Sequence, residues 1–133
     1  MDISKTQKNI LVIEDNKIVS EAIVCALKKE GYQTDTAYDG LAGFHKIVET
    51  KPHMVILDIL LPKLDGRDLL KKIKQNPDTK QIPVIIVSGK TEEWDKEIGF
   101  DLGADEYITK PFDPLVLVTH IKQIFTKKSG LAC

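Results

Sequence analysis

Charged and hydroxyl side chains follow four apolar runs of this sequence, at the points where the runs end. These side chains are Glu14, Asp15, Asp58, Ser88 and Lys110. A charged group beside an apolar strand is costly to bury unless something compensates it. If the runs are parallel strands, these side chains meet at the carboxyl-end edge of one sheet, where open α/β sheets bind ligands.

The combination of groups indicates one kind of chemistry. Three crowded carboxylates, Glu14, Asp15 and Asp58, repel one another, so they protonate or bind a cation. Sites rich in carboxylate oxygens suit Mg²⁺. Lys110 adds a fixed positive charge and Ser88 a hydrogen-bond donor. A metal, a lysine and a hydroxyl around a carboxylate favour phosphoryl transfer onto it, so we predict that Asp58 is the nucleophile and forms an acyl phosphate.

The elements that must position these groups alternate along the chain. Five short β-type runs lie at residues 9–13, 33–37, 54–58, 83–88 and 106–109. Helical patterns lie at about residues 16–30, 39–50, 66–75, 91–102 and 113–127. Runs one, three and four are apolar throughout, as strands covered on both faces are, whereas run two carries polar residues and suits a sheet edge. This order predicts an α/β fold with a five-stranded parallel sheet and right-handed crossovers.

Length and composition fit this prediction. The 133 residues favour one domain, residues 1–133, with a core over about 9–127 and a short polar lead and tail. A net charge of −1 does not favour nucleic acid or acidic lipid as a partner. The sequence has neither a membrane-spanning apolar run nor a signal-peptide pattern, so we expect a cytoplasmic protein. Cys25 and Cys133 are expected to be free thiols, with Cys25 buried.

Four segments together resemble the receiver domain of two-component response regulators. They are LVIEDN (11–16), VILDILLPKLDG (55–66), VIIVSG (84–89) and GADEYITKPF (103–112), in the order and spacing of that family. The resemblance implies a flavodoxin-like, doubly wound (βα)5 fold with strand order 2-1-3-4-5. It also implies a phosphoacceptor switch, rather than a turnover enzyme, that takes its phosphoryl group from a phosphohistidine of a sensor kinase or phosphotransfer protein.

The resemblance assigns a role to each site residue. Asp58 is the phosphoacceptor, and Mg²⁺, with Mn²⁺ as a substitute, is held by Asp15, Asp58 and the Leu60 backbone carbonyl, with Glu14 acting through water. The resemblance further implies that Ser88, the Gly89 amide and Lys110 bind phosphoryl oxygens. Ser88 and Tyr107 are the implied conformational switch residues, and Lys110-Pro111 is the implied cis peptide. Plain core packing is the alternative role for Tyr107.

Three other functions fit parts of the pattern. An aspartyl-phosphate phosphohydrolase would need a second aspartate two residues after Asp58, where Leu60 stands. A flavin or nucleotide carrier on the same fold would need a glycine- or hydroxyl-rich first loop, whereas EDNKIVS is acidic. A receiver that has lost phosphorylation would lack an acceptor or metal position, and none is missing. The leading prediction therefore remains a phosphorylation-driven switch.

The expected output surface lies across the predicted helix at 91–102, the strand at 106–109 and the predicted helix at 113–127. Leu117, Ile121, Ile124 and Phe125 form one apolar stripe that can pack on the sheet. Leu115 and Val118 lie off that stripe and either edge the core or contact a downstream partner or a second copy; Trp94 and Ile98 could extend the surface. The tail after residue 127 carries no output domain, and DPLVLVTHIKQIF lacks the charge pattern of the dimerising transcription factors, so direct nucleic-acid binding is not expected.

Overall fold

The protein is described by a computed structural model over residues 8–89 and 100–128. Its strands are β1 (Asn9–Ile13), β2 (Gln33–Ala37), β3 (Met54–Leu57), β4 (Val84–Ser88) and β5 (Glu106–Thr109). Its helices are α1 (Lys17–Lys29), α2 (Gly40–Thr50), α3 (Gly66–Gln75) and α4 (Pro114–Lys128). Most of the helix predicted at 91–102, with Trp94 and Ile98, falls outside the described residues.

All five strands pair in parallel in one sheet, in the order β2-β1-β3-β4-β5. This confirms the predicted strand order and places the polar strand β2 at an edge. Strand β3 ends at Leu57, one residue earlier than predicted, so Asp58 is the first residue beyond the strand. The carboxyl ends of β1, β3, β4 and β5 therefore lie side by side, because neighbouring parallel strands point the same way.

Apolar side chains cover both faces of the sheet. Along β1, Leu11 and Ile13 pack into one core cluster, whereas Ile10 and Val12 pack into the other. This alternation follows from the two-residue period of a strand, and it explains why β1 is apolar throughout. Helices α2 and α3 contribute to the first cluster, and α1 and α4 contribute to the second.

The C-terminal helix and the first cysteine correct two expectations. In α4, Leu117 and Ile121 are fully buried as predicted, and Leu115 is exposed at 68%. Val118 is only 4% exposed and belongs to the second core cluster, so it cannot be a partner contact. Cys25 was expected to be buried, but it is exposed, because it lies on the side of α1 away from the sheet.

Across residues 8–89 and 100–128, the helices are all too short or too polar to cross a bilayer.

Candidate functional site

Backbone hydrogen bonds carry the strand ladders one step past their ends and fix the site residues. The Glu14 amide donates to the Ala37 carbonyl at 3.0 Å, and the Asp58 amide donates to the Ile13 carbonyl at 3.0 Å. The Lys110 amide donates to the Ser88 carbonyl at 2.8 Å. Glu14, Asp58 and Lys110 are thus held by the sheet itself rather than by free loops.

Three carboxylates meet at this edge of the sheet. Glu14, Asp15 and Asp58 each offer an oxygen, and these oxygens lie within 4.8 Å of one another. Glu14 is 2% exposed and Asp58 is 6% exposed, whereas Asp15 is open to solvent. The structure therefore brings together the acidic cluster predicted from the sequence, with two of its members buried.

Lys110 reaches into the acidic cluster from the end of β5, across the end of β4. Its Nζ lies 2.5 Å from Glu14 Oε1 and 3.1 Å from Asp58 Oδ2. Burial alone would lower the pKa of Lys110, but the hydrogen bond to Glu14 and the charge of Asp58 outweigh burial and raise its pKa above the ordinary value. Lys110 is therefore a permanent positive charge that bridges two of the three carboxylates.

Glu14 is held at both of its oxygens. The Asn16 amide donates to Oε2 at 3.0 Å, while Oε1 faces Lys110. Burial raises the pKa of Glu14, against the lowering effect of its two hydrogen bonds. Asn16 also caps α1, since its side chain accepts from the Ile18 and Val19 amides. The sequence interpretation missed the Asn16 contact to Glu14, although an Asn directly before an apolar helix is a recognisable capping signal.

The backbone after Asp58 turns tightly under the carboxylate. Asp58 Oδ1 accepts a hydrogen bond from the Leu60 amide at 3.2 Å. The Leu60 side chain, two residues after Asp58, is 53% exposed. At the other end of the loop, the Asp65 side chain caps α3 by accepting from the Arg67 amide at 2.8 Å. The loop between Asp58 and α3 is thus tied at both ends.

The other predicted site residues lie at the same edge or beneath it. Ser88 is fully buried at the end of β4, and Gly89 follows it at the surface. Tyr107 is 7% exposed and packs in the first core cluster, which is compatible with both the switch role and the alternative of plain core packing. The Lys110–Pro111 peptide is cis, as expected. The roles given to Ser88, Gly89 and Tyr107 stay predictions.

The donor set fits a hard divalent cation. Carboxylate and backbone carbonyl oxygens are the ligands that Mg²⁺ prefers, and it commonly takes only one or two carboxylates and keeps its waters. Exposed Asp15 leaves one side of the cluster open to water, whereas buried Asp58 supplies a fixed carboxylate. The same oxygen donors are suitable for Mn²⁺.

Comparison with known proteins identifies the class. The response regulator receiver domain family matches residues 10–122. The transcriptional regulatory protein YclJ of Bacillus subtilis is 41% identical over 118 residues, which are 89% of this chain and 51% of YclJ. A CheY-like receiver domain protein from Methanospirillum hungatei superposes with a TM-score of 0.87 at 27% identity, covering 95% of this chain and 99% of that one. The Mn²⁺-bound form of response regulator Rcp1 superposes with a TM-score of 0.76 at 33% identity, covering 90% of this chain and 92% of that one.

The chain belongs to the response regulator receiver domain family, a family of signalling switches in two-component systems. Its flavodoxin-like strand order and its acidic cluster are those expected from the sequence resemblance. The chain spans about half the length of the relatives that are transcriptional regulators.

Replacing Lys110 with methionine tests the bridging charge. Without Lys110, Glu14 and Asp58 repel each other, so we expect the metal-free variant to lose about 1–3 kcal/mol of unfolding free energy. Mg²⁺ should then raise the melting temperature of Lys110→Met more than that of the wild type, because added cation replaces the missing charge. Thermal unfolding with and without Mg²⁺ measures both effects.

The matched control is Lys46→Met, which removes a half-buried ion pair to Asp35 at 2.7 Å, away from the cluster. We expect it to leave the Mg²⁺ response unchanged. An equal Mg²⁺ response in Lys110→Met and wild type would contradict the bridging role.

Proposed function

We propose that this domain accepts a phosphoryl group on Asp58 from a phosphohistidine of a sensor kinase or phosphotransfer protein, with Mg²⁺ as cofactor. The observation that carries the proposal is the contact of Lys110 with both Glu14 and Asp58 inside the acidic cluster. This arrangement holds a nucleophilic carboxylate beside a fixed positive charge. The domain acts as a switch that assists its own modification rather than as a turnover enzyme.

In the transfer, an oxygen of Asp58 attacks the phosphorus of the phosphohistidine. The new O–P bond forms as the P–N bond breaks, and the imidazole leaves with the electron pair and takes a proton from water. Lys110, already 3.1 Å from Asp58 Oδ2, is placed to neutralise the incoming phosphoryl oxygens. Ser88 is the last residue of β4 and Gly89 follows it at the same edge; the Ser88 hydroxyl and the Gly89 amide supply hydrogen-bond donors in this proposal.

Asp15, Asp58 and the Leu60 carbonyl would hold the cation, with Glu14 acting through water. When bound, Mg²⁺ supplies positive charge for the phosphoryl oxygens and screens the carboxylates from them. Mn²⁺ is the expected substitute, and one related response regulator is an Mn²⁺-bound form.

Incubation with acetyl phosphate and Mg²⁺, followed by intact mass, tests the proposal. One phosphoryl group should add to the wild type, and Asp58→Asn should gain none because the attacking oxygen is replaced by an amide. Chelation with EDTA should prevent the gain, since the carboxylates would then repel the incoming phosphoryl group. Asp68→Asn, which changes an aspartate in the first turn of α3 away from the cluster, is the matched control and should label normally.

Full labelling of Asp58→Asn, or wild-type labelling unaffected by EDTA, would contradict the assignment.

We propose that the phosphodonor protein docks in an apolar groove of this domain, next to Asp58. The groove lies between α1 and the segment after β5, and its lining comprises Ile18, Val19, Ala22, Ile23, Lys110, Pro111, Phe112 and Pro114. Lys110 lies in this lining and also contacts Asp58, so the groove is continuous with the acceptor site. Ile18 is 80% exposed at the start of α1, so its apolar side chain is accessible to a partner that enters the groove.

The Ile18→Asp variant distinguishes docking of the phosphodonor protein from the phosphorylation of Asp58 itself. An acidic residue is tolerated in the first turn of a helix, so the variant should fold. We expect transfer from a radiolabelled histidine kinase that labels the wild type to slow by about tenfold, which corresponds to about 1.4 kcal/mol. Labelling by acetyl phosphate should be unchanged, because that small donor needs no groove.

Leu41→Asp is the control, since Leu41 is also exposed, at 48%, but lies on α2 away from the groove. Equal transfer from the kinase to Ile18→Asp and to wild type would exclude this groove as the donor surface.

We assign the output to the surface that includes β5 and α4, with a downstream protein or a second copy as partner. Leu115 and Val116 are exposed on α4, and the His120 and Glu106 side chains pair across α4 and β5 at 3.1 Å. Sedimentation with and without beryllium fluoride tests the second-copy version. A monomer in both states at high protein concentration would exclude it.

Direct nucleic-acid binding is not part of this proposal, although several relatives are transcriptional regulatory proteins. The cytoplasmic location expected from the sequence stays a prediction.

A further inference from the structure

Gly66, the first residue of α3, lies directly against the peptide that follows the acceptor. A Cβ placed on Gly66 would lie 2.5 Å from the Asp58 carbonyl oxygen, 2.6 Å from Ile59 Cα and 2.9 Å from the Ile59 carbonyl oxygen. Contacts this short are not tolerated between nonbonded atoms, so any side chain at this position must displace α3 or the Asp58–Ile59 peptide.

The three atoms all belong to the backbone of Asp58 and Ile59. A Cβ on Gly40 would also meet backbone, but that backbone belongs to Leu64. A Cβ on Gly43 would approach the tip of the Ile13 side chain, and one on Gly103 would approach Lys74 side-chain atoms. Side-chain tips can rotate away, whereas the backbone of Asp58 is held by its hydrogen bond to Ile13. Strain at Gly66 is therefore transmitted to the acceptor residue.

A hydrogen bond ties the start of α3 to the loop that carries the two proposed metal-binding groups, the Asp58 carboxylate and the Leu60 carbonyl. The Gly66 amide donates to the Ile59 carbonyl at 2.8 Å. The peptide that Gly66 touches joins Asp58 to Ile59, and the Leu60 amide in turn donates to Asp58 Oδ1 at 3.2 Å. A shift of this peptide moves the Asp58 carboxylate and the Leu60 carbonyl relative to each other.

We propose that Gly66 is a positioning residue for the acceptor: its missing side chain lets the start of α3 set the Asp58–Ile59 peptide, and with it the cation site and the attacking carboxylate. This inference rests on the proposed phosphoacceptor function. Helix propensity alone would favour alanine at position 66, because alanine is a much better helix former than glycine. Without the close approach, Gly66→Ala would be neutral or stabilising.

Gly66→Ala is compared with Gly31→Ala, which is a control for lost stability alone. Gly31 has a φ of 91° and lies before β2, at the opposite end of the sheet, so alanine there is strained without touching the site. We expect Gly66→Ala to bind Mg²⁺ about tenfold more weakly, as loss of supporting contacts around metal ligands commonly does. Acetyl phosphate labelling should slow to a similar degree. Gly31→Ala should melt at a lower temperature yet keep its Mg²⁺ affinity and labelling rate.

The amide resonance of Leu60 in metal-free protein gives a readout independent of activity. It should shift in Gly66→Ala and stay in place in Gly31→Ala. Wild-type Mg²⁺ affinity, labelling rate and Leu60 resonance in Gly66→Ala would overturn the inference. If the wild type itself failed to label, the proposed function would fall, while the metal-free Leu60 resonance would still decide the role of Gly66.

A second pair of variants applies if Gly66→Ala does not fold. Asp65→Ala removes the cap of α3 without adding any atom, whereas Asp65→Asn keeps a capping side chain. Because the start of α3 is no longer capped in Asp65→Ala, this variant should bind Mg²⁺ several-fold more weakly. Asp65→Asn should keep the wild-type Mg²⁺ affinity. Equal Mg²⁺ affinity in the two variants would overturn the positioning role of the start of α3.

Discussion

The repulsion among Glu14, Asp15 and Asp58 is the constraint on which the functional end of this domain depends. Two negative charges 4.8 Å apart repel by about 3 kcal/mol at the effective dielectric constant of a site near a protein surface. That is a large part of the stability of an ordinary domain. Lys110 offsets it by contacting Glu14 and Asp58 at once, and the partial burial of Lys110 protects these pairs from screening by solvent.

The sheet makes this arrangement possible without flexible parts. Glu14, Asp58 and Lys110 each donate a backbone hydrogen bond to the neighbouring strand or strand connection, so their positions follow from the strand register. The buried members of the cluster lie at the top of a fully apolar core, where charge is expensive. A site that gathers negative charge in this way attracts cations, and the proposed phosphoryl transfer requires that this charge first be balanced.

The sequence was sufficient to predict the strand order, the polar edge strand and the convergence of the acidic residues with Lys110. These predictions follow from local patterns, because an apolar run that ends in a charged residue indicates both a buried strand and the end of that strand at which the site lies. The pairing of Lys110 with Glu14 was not predicted, since it depends on side-chain reach between strand ends. The sequence left Val118 open between the core and a partner surface, because the first turn of α4 is apolar on several sides. Packing of α4 against the sheet and α1 decides which side is buried, and Val118 lies in the core. The close approach of Gly66 to Asp58 brings together backbone atoms of residues eight apart in sequence, across a loop. The hydrophobic periodicity of the sequence contains no signal for such a contact.

A crystal structure of the protein with Mg²⁺ and beryllium fluoride tests the central claim most directly, because the fluoride complex mimics a phosphoryl group on a carboxylate. The account predicts beryllium bonded to the Asp58 carboxylate, the cation held by Asp15, Asp58 and the Leu60 carbonyl, and the Lys110 ammonium moved from Glu14 onto a fluoride. Beryllium fluoride bound elsewhere, or a Lys110 still paired with Glu14 beside a modified Asp58, would contradict it.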